Sequence, residues 1–134
     1  MIIRNDFPEF TETAKIIDRE LAYVNMIIEK LPSEDKPAHC ERGIIRLPPI
    51  PYETVWGGLL SHEAGHLVYD PVTFTNYFEG IEAIKNELKV NIEIAKILAN
   101  IASDITLEFR NSQKPIIRPY VIEKVKYAYN KHLE

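Results

Sequence analysis

Two histidines four positions apart, with a glutamate directly after the first, are the residues of this sequence with the clearest chemistry. They are His62, Glu63 and His66, in the segment SHEAGHLVYDP at 61–71. On an α-helix, residues i and i+4 lie about 40° apart on one face, so both imidazoles can bind one metal ion. A carboxylate beside such a pair can take a proton from zinc-bound water. The spacing predicts a zinc site in which His62 and His66 are ligands and Glu63 is the general base.

The same pattern has a purely structural interpretation, in which an ordinary helix carries these three side chains without a metal. An HExxH match arises by chance on the order of once in a few hundred sequences of this length. Here the match falls inside a strongly predicted helix and not in a loop, which favours metal binding. The alternative to a metal site is a helical protein in which these side chains have only a structural role.

A catalytic zinc needs a third protein ligand and an open position for water. In the segment ANIASDITLEF, Asn100, Asp104 and Glu108 recur at helical spacing and form a polar stripe. Such a stripe is most often a solvated face. Because Ile97 and Leu107 fall in the same sector, which a solvated face would not favour, we expect the stripe to supply the third ligand.

HEAGH, followed by a later helix that carries NIASDITLE, resembles the zincin metallopeptidases. It is similar to the gluzincin type, in which a glutamate from a later helix completes the site. It is closer still to the metallopeptidase domains found beside von Willebrand A-type domains, which carry Asn-x-x-x-Asp on that helix. Those domains also have a short strand and a proline before the HExxH helix, as in GIIRLPP here. The resemblance covers roughly residues 40–110.

This resemblance implies the roles given above for the residues of HEAGH and adds Asp104 as the third zinc ligand. Glu108 is the next candidate. The sequence departs from the gluzincin pattern because Asn100, and not a glutamate, lies four positions before Asp104. If Asp104 instead orients a ligand, the third ligand is Asn100 or Glu108. The carboxylate that does not bind the metal is then expected to orient the ligands.

The composition indicates one globular domain over residues 1–134. Hydrophobic residues make up 46% and charged residues 27% of the chain, which is ordinary for a folded domain. Sixteen lysines and arginines against 20 aspartates and glutamates give a net charge of −4, and the basic residues are scattered, so we expect no nucleic-acid partner. No apolar run approaches the roughly 20 residues of a membrane span, and the N-terminal segment is unlike a signal peptide. We expect no membrane partner and a cytoplasmic location.

The single cysteine, Cys40, excludes an internal disulfide and a thiolate-rich zinc site, so a metal must use histidines and carboxylates. We interpret Cys40 as a small residue near the start of a strand, although its thiolate is chemically able to bind an open zinc site. His39 and His132 are interpreted as surface residues.

The first predicted helix covers residues 11–31, with apolar residues at helical spacing and Thr11 or Thr13 as N-cap. Those apolar residues are Ile17, Leu21, Val24, Ile28 and Leu31. The segment PSEDKP is expected to be a surface loop. A short strand follows around Ile44–Leu47, as an edge strand or a member of a minimal sheet, because the prolines after it limit its pairing.

The HExxH helix is expected to begin at Pro51 and to stop at Asp70-Pro71. Glycine is unfavourable inside a helix, so Gly57 and Gly58 indicate that another element packs closely there. Residues from 75 to Arg110 are expected to form one or two helices. Within them an apolar face comprises Ile94, Leu98, Ile101 and Ile105. Pro119 opens the last helix, in which Val121, Val125 and Tyr129 either cap the core or face a partner.

These expectations describe a mostly α fold of the α+β class, a small zincin-like domain with a short strand or minimal sheet before the HExxH helix. The expected function is a zinc-dependent metallopeptidase that hydrolyses peptide bonds in a peptide or protein substrate. A strand such as GIIRLPP can bind extended substrate by edge pairing. The alternative is a zinc-binding module without catalysis, a regulatory or scaffold domain for a separately encoded partner, with its cleft blocked by the chain's own tail.

Overall fold

The computed structural model describes residues 1–22, 25–73 and 77–132, with the backbone alone at 70–73 and 77–78. The predicted class is confirmed, since the described residues form a mostly helical α+β fold. The elements in chain order are β1 Ile2–Asn5, a 3-10 turn Pro8–Phe10, α1 Thr11–Leu21, β2 Met26–Lys30, β3 His39–Glu41, β4 Ile44–Leu47, α2 Glu53–Thr73, α3 Tyr77–Leu88, α4 Ile92–Ser112 and α5 Arg118–His132.

The four strands form one mixed sheet in the order β1-β2-β4-β3. β1 and β2 are parallel and are joined through α1, and β2 is also parallel to β4. β3 and β4 form an antiparallel hairpin with a two-residue turn. Both turn residues have positive φ, 53° at Arg42 and 80° at Gly43, as a tight hairpin turn of primed type requires.

This topology corrects the expectation of an edge strand at Ile44–Leu47. β4 pairs on both sides, with β2 and with β3, so it is an interior member of the minimal sheet. The edge strands are β1 and β3, and β3 (His39–Glu41) is the one that pairs with β4. Pro48 and Pro49 follow the last residue of β4, so they remove no hydrogen bond of the ladder, and that is why they did not confine the strand to an edge.

The single helix predicted over residues 11–31 is wrong in its second half. α1 ends at Leu21, Ala22 is left-handed with φ 53°, and β2 begins at Met26. Met26 and Ile28 are both fully buried while their neighbours are partly exposed, which is the period of a strand. β-branched Ile27 and Ile28 favour that conformation. Val24 lies outside the described residues.

The predicted threonine caps of α1 are also wrong. The N-cap residue is Phe10, which makes no side-chain capping bond. Thr11 donates its hydroxyl to the carbonyl of Pro8 (2.7 Å), and Thr13 donates to Oε1 of Glu53 (2.7 Å). Thr13 therefore ties α1 to the start of α2 and is used for packing between helices.

α2 begins at Glu53 and extends to Thr73, so neither predicted boundary is correct. The Trp56 amide bonds to the carbonyl of Tyr52 (2.9 Å), which sets the first turn two residues later than Pro51. At its C-terminal end the helix continues past Pro71 to Thr73. A proline removes one hydrogen bond of the helix but leaves helical dihedral angles accessible on both sides, so it kinks helices as well as ending them.

The core lies between one face of the sheet and helices α1 and α2. Met26, Ile28, Ile45 and Leu47 supply the buried face of the sheet. Trp56 is fully buried, and its ring centroid lies 5.2 Å from that of Phe7 and 5.0 Å from that of Phe10. Because Trp56 lies one and a half turns before His62, this cluster anchors the half of α2 that leads into HEAGH.

The region after the HExxH helix forms two helices, α3 and α4, and the second ends at Ser112. The apolar face predicted on α4 is largely exposed in the described structure: Ile94, Ile101 and Ile105 are 43, 48 and 65% accessible. The buried stripe instead consists of small and mixed residues, namely Ala95, Ala99, Ser103, Leu107 and Asn111. Small side chains let neighbouring helices approach closely, so hydrophobicity alone did not identify the packed face.

The last helix, α5, is confirmed, and it packs against α2 at the two glycines. A Cβ atom at Gly58 would overlap the carbonyl oxygen of Tyr120, so this approach requires glycine. Val121 is buried, whereas Val125 and Tyr129 are exposed, so one turn of α5 caps the core. None of the described helices is long and apolar enough to cross a lipid bilayer.

Candidate metal centre

A cleft of about 480 Å³ lies between α2, α4 and the free side of β3. α2 supplies the HEAGH side chains, and α4 supplies Asn100 and Asp104 from the predicted polar stripe and Ser103 from its buried side. The β3 strand and the residue before it form the rim of the cleft. The lining residues are Ala38, His39, Cys40, His62, Glu63, His66, Asn100, Ser103 and Asp104. The cleft therefore brings the HExxH motif and the polar stripe together.

Three of these side chains form a group that can hold a metal ion: His62, His66 and Asp104. Their ligand atoms lie within 4.8 Å of one another. Oδ1 of Asp104 is 3.0 Å from Nε2 of His66 and 3.4 Å from Nε2 of His62. The histidine side chains are 17 and 20% exposed and that of Asp104 is 51% exposed, so the group opens toward solvent on the α4 side.

The donor set fits zinc in chemistry and in spacing. Zinc–nitrogen and zinc–oxygen bonds of about 2.0–2.1 Å in a tetrahedron place neighbouring ligand atoms about 3.3 Å apart. The two distances from Asp104 to the imidazole nitrogens bracket that value. Two imidazoles and one carboxylate also leave a fourth position for water or substrate, which is the composition of a catalytic site.

Glu108 lies on the other side of the His62 ring. Its Oε1 is 2.5 Å from Nδ1 of His62 and accepts a hydrogen bond from Nζ of Lys124 at 3.0 Å. Burial raises the pKa of Glu108, but the hydrogen bond from His62 and the charge of Lys124 outweigh it and hold that pKa below its usual value. Glu108 is therefore an anion that can accept a hydrogen bond from Nδ1–H, and in that arrangement Nε2 would be available to a metal ion shared with Asp104.

His66 has a similar arrangement. Its Nδ1 lies 3.3 Å from the hydroxyl of Ser103, a buried residue of α4. When a metal ion occupies Nε2, the proton of His66 would lie on Nδ1, where the Ser103 hydroxyl can accept it. Both histidines are thus held by α4 through the nitrogen that does not face Asp104.

The geometry separates the three candidates for third ligand. Asp104 alone reaches both Nε2 atoms among the described residues, whereas Glu108 contacts His62 through Nδ1. Asn100 lines the cleft, and its amide oxygen is a poorer zinc ligand than a carboxylate. Glu63 is 7% exposed and lines the same cleft, outside the group of ligand atoms.

Several residues of the site were not foreseen. The rim formed by Ala38, His39 and Cys40 was missed, although the two-residue turn at Arg42-Gly43 was a usable hairpin signal. His39 and Cys40 were set aside and yet line the cleft, without joining the group of ligand atoms. Lys124 had no sequence signal, because its contact with His62 spans 62 residues.

The C-terminal helix does not fill the cleft. In the part of α5 that the structure describes, no residue is among those that line it. The side chain of Lys124 instead approaches the site from behind, on the Nδ1 side of His62. The described residues of α5 therefore do not block the cleft.

Comparison of the chain with protein-family models, with curated proteins and with solved structures finds no match. The assignment of this site therefore depends on the residues and distances given above.

Proposed function

We propose that the protein is a zinc-dependent peptidase in which His62, His66 and Asp104 hold the metal. The observation that carries the proposal is the approach of one Asp104 oxygen to both histidine Nε2 atoms, at 3.0 and 3.4 Å, in a cleft that also contains Glu63. When bound, zinc would supply Lewis acidity, polarising a peptide carbonyl and making water a better nucleophile. Sulfur ligands are not needed for this chemistry.

Glu63 is assigned the proton transfers of the hydrolysis. It takes a proton from the attacking water and delivers it to the amine nitrogen as the carbon–nitrogen bond breaks, so that one water is consumed for each bond cleaved. Its place in the cleft beside the histidines, outside the group of ligand atoms, suits this role.

An extended peptide is the substrate that the cleft fits. Its rim is the edge strand β3, which pairs with β4 on one side and borders the cleft with His39 and Cys40. Addition of a substrate strand to such an edge provides main-chain hydrogen bonds independent of side-chain identity. The edge pairing with substrate that was first expected for GIIRLPP is therefore assigned to β3. A cytoplasmic location belongs to the same proposal and is supported by the single cysteine.

The test compares the zinc-loaded protein with Glu63→Gln on an unfolded protein substrate, with new N-termini read by mass spectrometry. We expect cleavage by the parent and a loss of about 10²–10⁴-fold in the variant, because an amide cannot accept the proton of water. Zinc content and the circular dichroism spectrum should be equal in both. A parent that holds one zinc and cleaves nothing would leave the non-catalytic binding module, while equal cleavage by both would exclude Glu63 as the base.

A further inference from the structure

Lys124 is a charged group of the site that neither the HExxH motif nor the polar stripe of α4 requires. Its Nζ lies 3.0 Å from Oε1 of Glu108 and also 3.0 Å from Nδ1 of His62. The Lys124 and Glu108 side chains are only 18 and 24% exposed, so water screens their charges weakly. The lysine reaches this position because α5 packs on Gly58, where an added Cβ would lie 2.5 Å from the Cβ of Lys124.

Two proton arrangements are available to the His62 ring. In one, Nδ1 donates to Glu108 and Nε2 keeps a lone pair for a metal. In the other, Nδ1 accepts from Lys124, whose ammonium group can only donate, and the ring proton moves to Nε2, where it blocks a metal. The first is favoured in the metal-free ring because the carboxylate of Glu108 lies 2.5 Å from Nδ1, closer than the 3.4 Å between Nε2 and the carboxylate of Asp104.

We propose that Lys124 and Glu108 act as an opposed pair that sets the position of the His62 proton. Glu108 holds the proton on Nδ1. Because Lys124 competes as a donor to Nδ1, zinc binding at Nε2 depends on the carboxylate of Glu108. Without Glu108, the ammonium group of Lys124 is the nearest partner of Nδ1 and donates to it, which places the proton on Nε2. Lys124 is therefore a positioning residue that acts through His62. The inference rests on the proposed function, since the consequence concerns a metal bound at Nε2.

The charge of Lys124 affects metal affinity in the same direction as the position of the ring proton does. While Glu108 is present, its negative charge offsets that of Lys124 beside the metal position. After its removal the lysine repels a bound cation as well as misplacing the ring proton. Both effects predict that removing Glu108 is harmful because Lys124 is there, and that removing Lys124 as well reverses the harm.

The experiment is a double-mutant cycle of zinc affinity, measured by competition with a chelator. Glu108→Ala should lose about 10–100-fold in affinity, Lys124→Met should stay within about threefold of the parent or bind more tightly, and the double variant should recover most of the loss. Methionine preserves the packing of the lysine stem on Gly58. The matched control is Lys126→Met in the Glu108→Ala background, because Lys126 is an exposed lysine of the same helix that pairs with Glu123. It should recover nothing.

A second readout needs no metal. Nitrogen-15 spectra of the histidine rings at alkaline pH report which nitrogen carries the proton. We expect Nδ1–H for His62 in the parent, Nε2–H in Glu108→Ala, and a mixture in the double variant. If Glu108→Ala does not fold, Glu108→Leu, which keeps most of the side-chain volume and has no acceptor, replaces it in the cycle.

Additive losses in the cycle, or an unchanged Nδ1–H signal in Glu108→Ala, would overturn the role of Lys124. A parent without zinc affinity would instead refute the proposed function, and the ring spectra would still decide what Lys124 does. The two failures are therefore distinguishable.

Discussion

Replacing Gly58 with alanine should destabilise the protein strongly, although alanine is the better helix former. The new Cβ would overlap the carbonyl oxygen of Tyr120 and lie 2.5 Å from the Cβ of Lys124. Neither atom can move without the backbone of α5. Overpacking costs about 1–3 kcal/mol per site in well-packed interiors, and this position has two such contacts. At about 2 kcal/mol for each contact, the middle of that range, and after a gain of about 1 kcal/mol in helix propensity, the net loss is about 3 kcal/mol, so we expect a value of about 2–4 kcal/mol.

Two other glycines of α2 provide matched controls. At Gly57 the nearest atoms belong to the ring of Tyr120, which can rotate, so Gly57→Ala should cost less. At Gly65 the nearest atoms, in Asn111 and Leu107, lie at 3.3 and 3.4 Å, so Gly65→Ala should change stability by no more than about 1 kcal/mol. All three replacements have the same chemistry and lie on the same helix.

The assay is urea unfolding of metal-free protein, followed by the far-ultraviolet circular dichroism and by the fluorescence of Trp56. Gly58→Ala should also lower the melting temperature by about 6–15 °C, at roughly 3–4 °C per kcal/mol for a domain of this size. Gly58→Ala as stable as the parent, or more stable than Gly57→Ala, would refute the packing of α5 on α2 described above. The position of Lys124 would then have no structural support.

Three further outcomes follow from the site. Replacing both His62 and His66 with alanine should abolish zinc binding and remove the rise in melting temperature that zinc produces in the parent, because a ligand bound only to the folded state stabilises it; zinc retained at one per chain would contradict the assignment. Asp104→Ala should weaken zinc by more than about 100-fold and Glu108→Ala by about 10–100-fold, and the reverse order in a chelator competition would transfer the ligand role to Glu108. The pKa of Glu108 is lowered in the folded state, so its ionisation stabilises the metal-free protein at pH values above the ordinary pKa of a glutamate. This stabilisation is lost as the pH falls through the lower folded pKa, so the stability of Glu108→Gln should depend less steeply on acid pH. An identical acid-unfolding curve would exclude this contribution.

The candidates for the third ligand could be predicted from the sequence, but the choice among them could not. Helical spacing placed Asn100, Asp104 and Glu108 on one stripe, and the structure places that stripe beside the HExxH helix. Successive members of the stripe are rotated by about 40°. Which of them meets Nε2 depends on how α4 crosses α2, and that angle is set by packing between elements distant in sequence.

The error at residues 22–31 has a different cause. Ile28 and Leu31 extend the helical spacing of the first helix, whereas Met26 and Ile28 fit the period of a strand equally well. The strand is chosen because β1 and β4 lie on either side to pair with it, and both partners are remote in sequence. Local patterns did identify the helix through HEAGH and the close packing at Gly57 and Gly58.

The most direct test of the account is the location of zinc itself, by anomalous diffraction at the zinc edge from crystals of the zinc-loaded protein. We expect one peak per chain, about 2.0–2.2 Å from Nε2 of His62, Nε2 of His66 and a carboxylate oxygen of Asp104, with Glu108 on the far side of the His62 ring. A peak held by other residues, or none in the cleft at full zinc loading, would contradict the account.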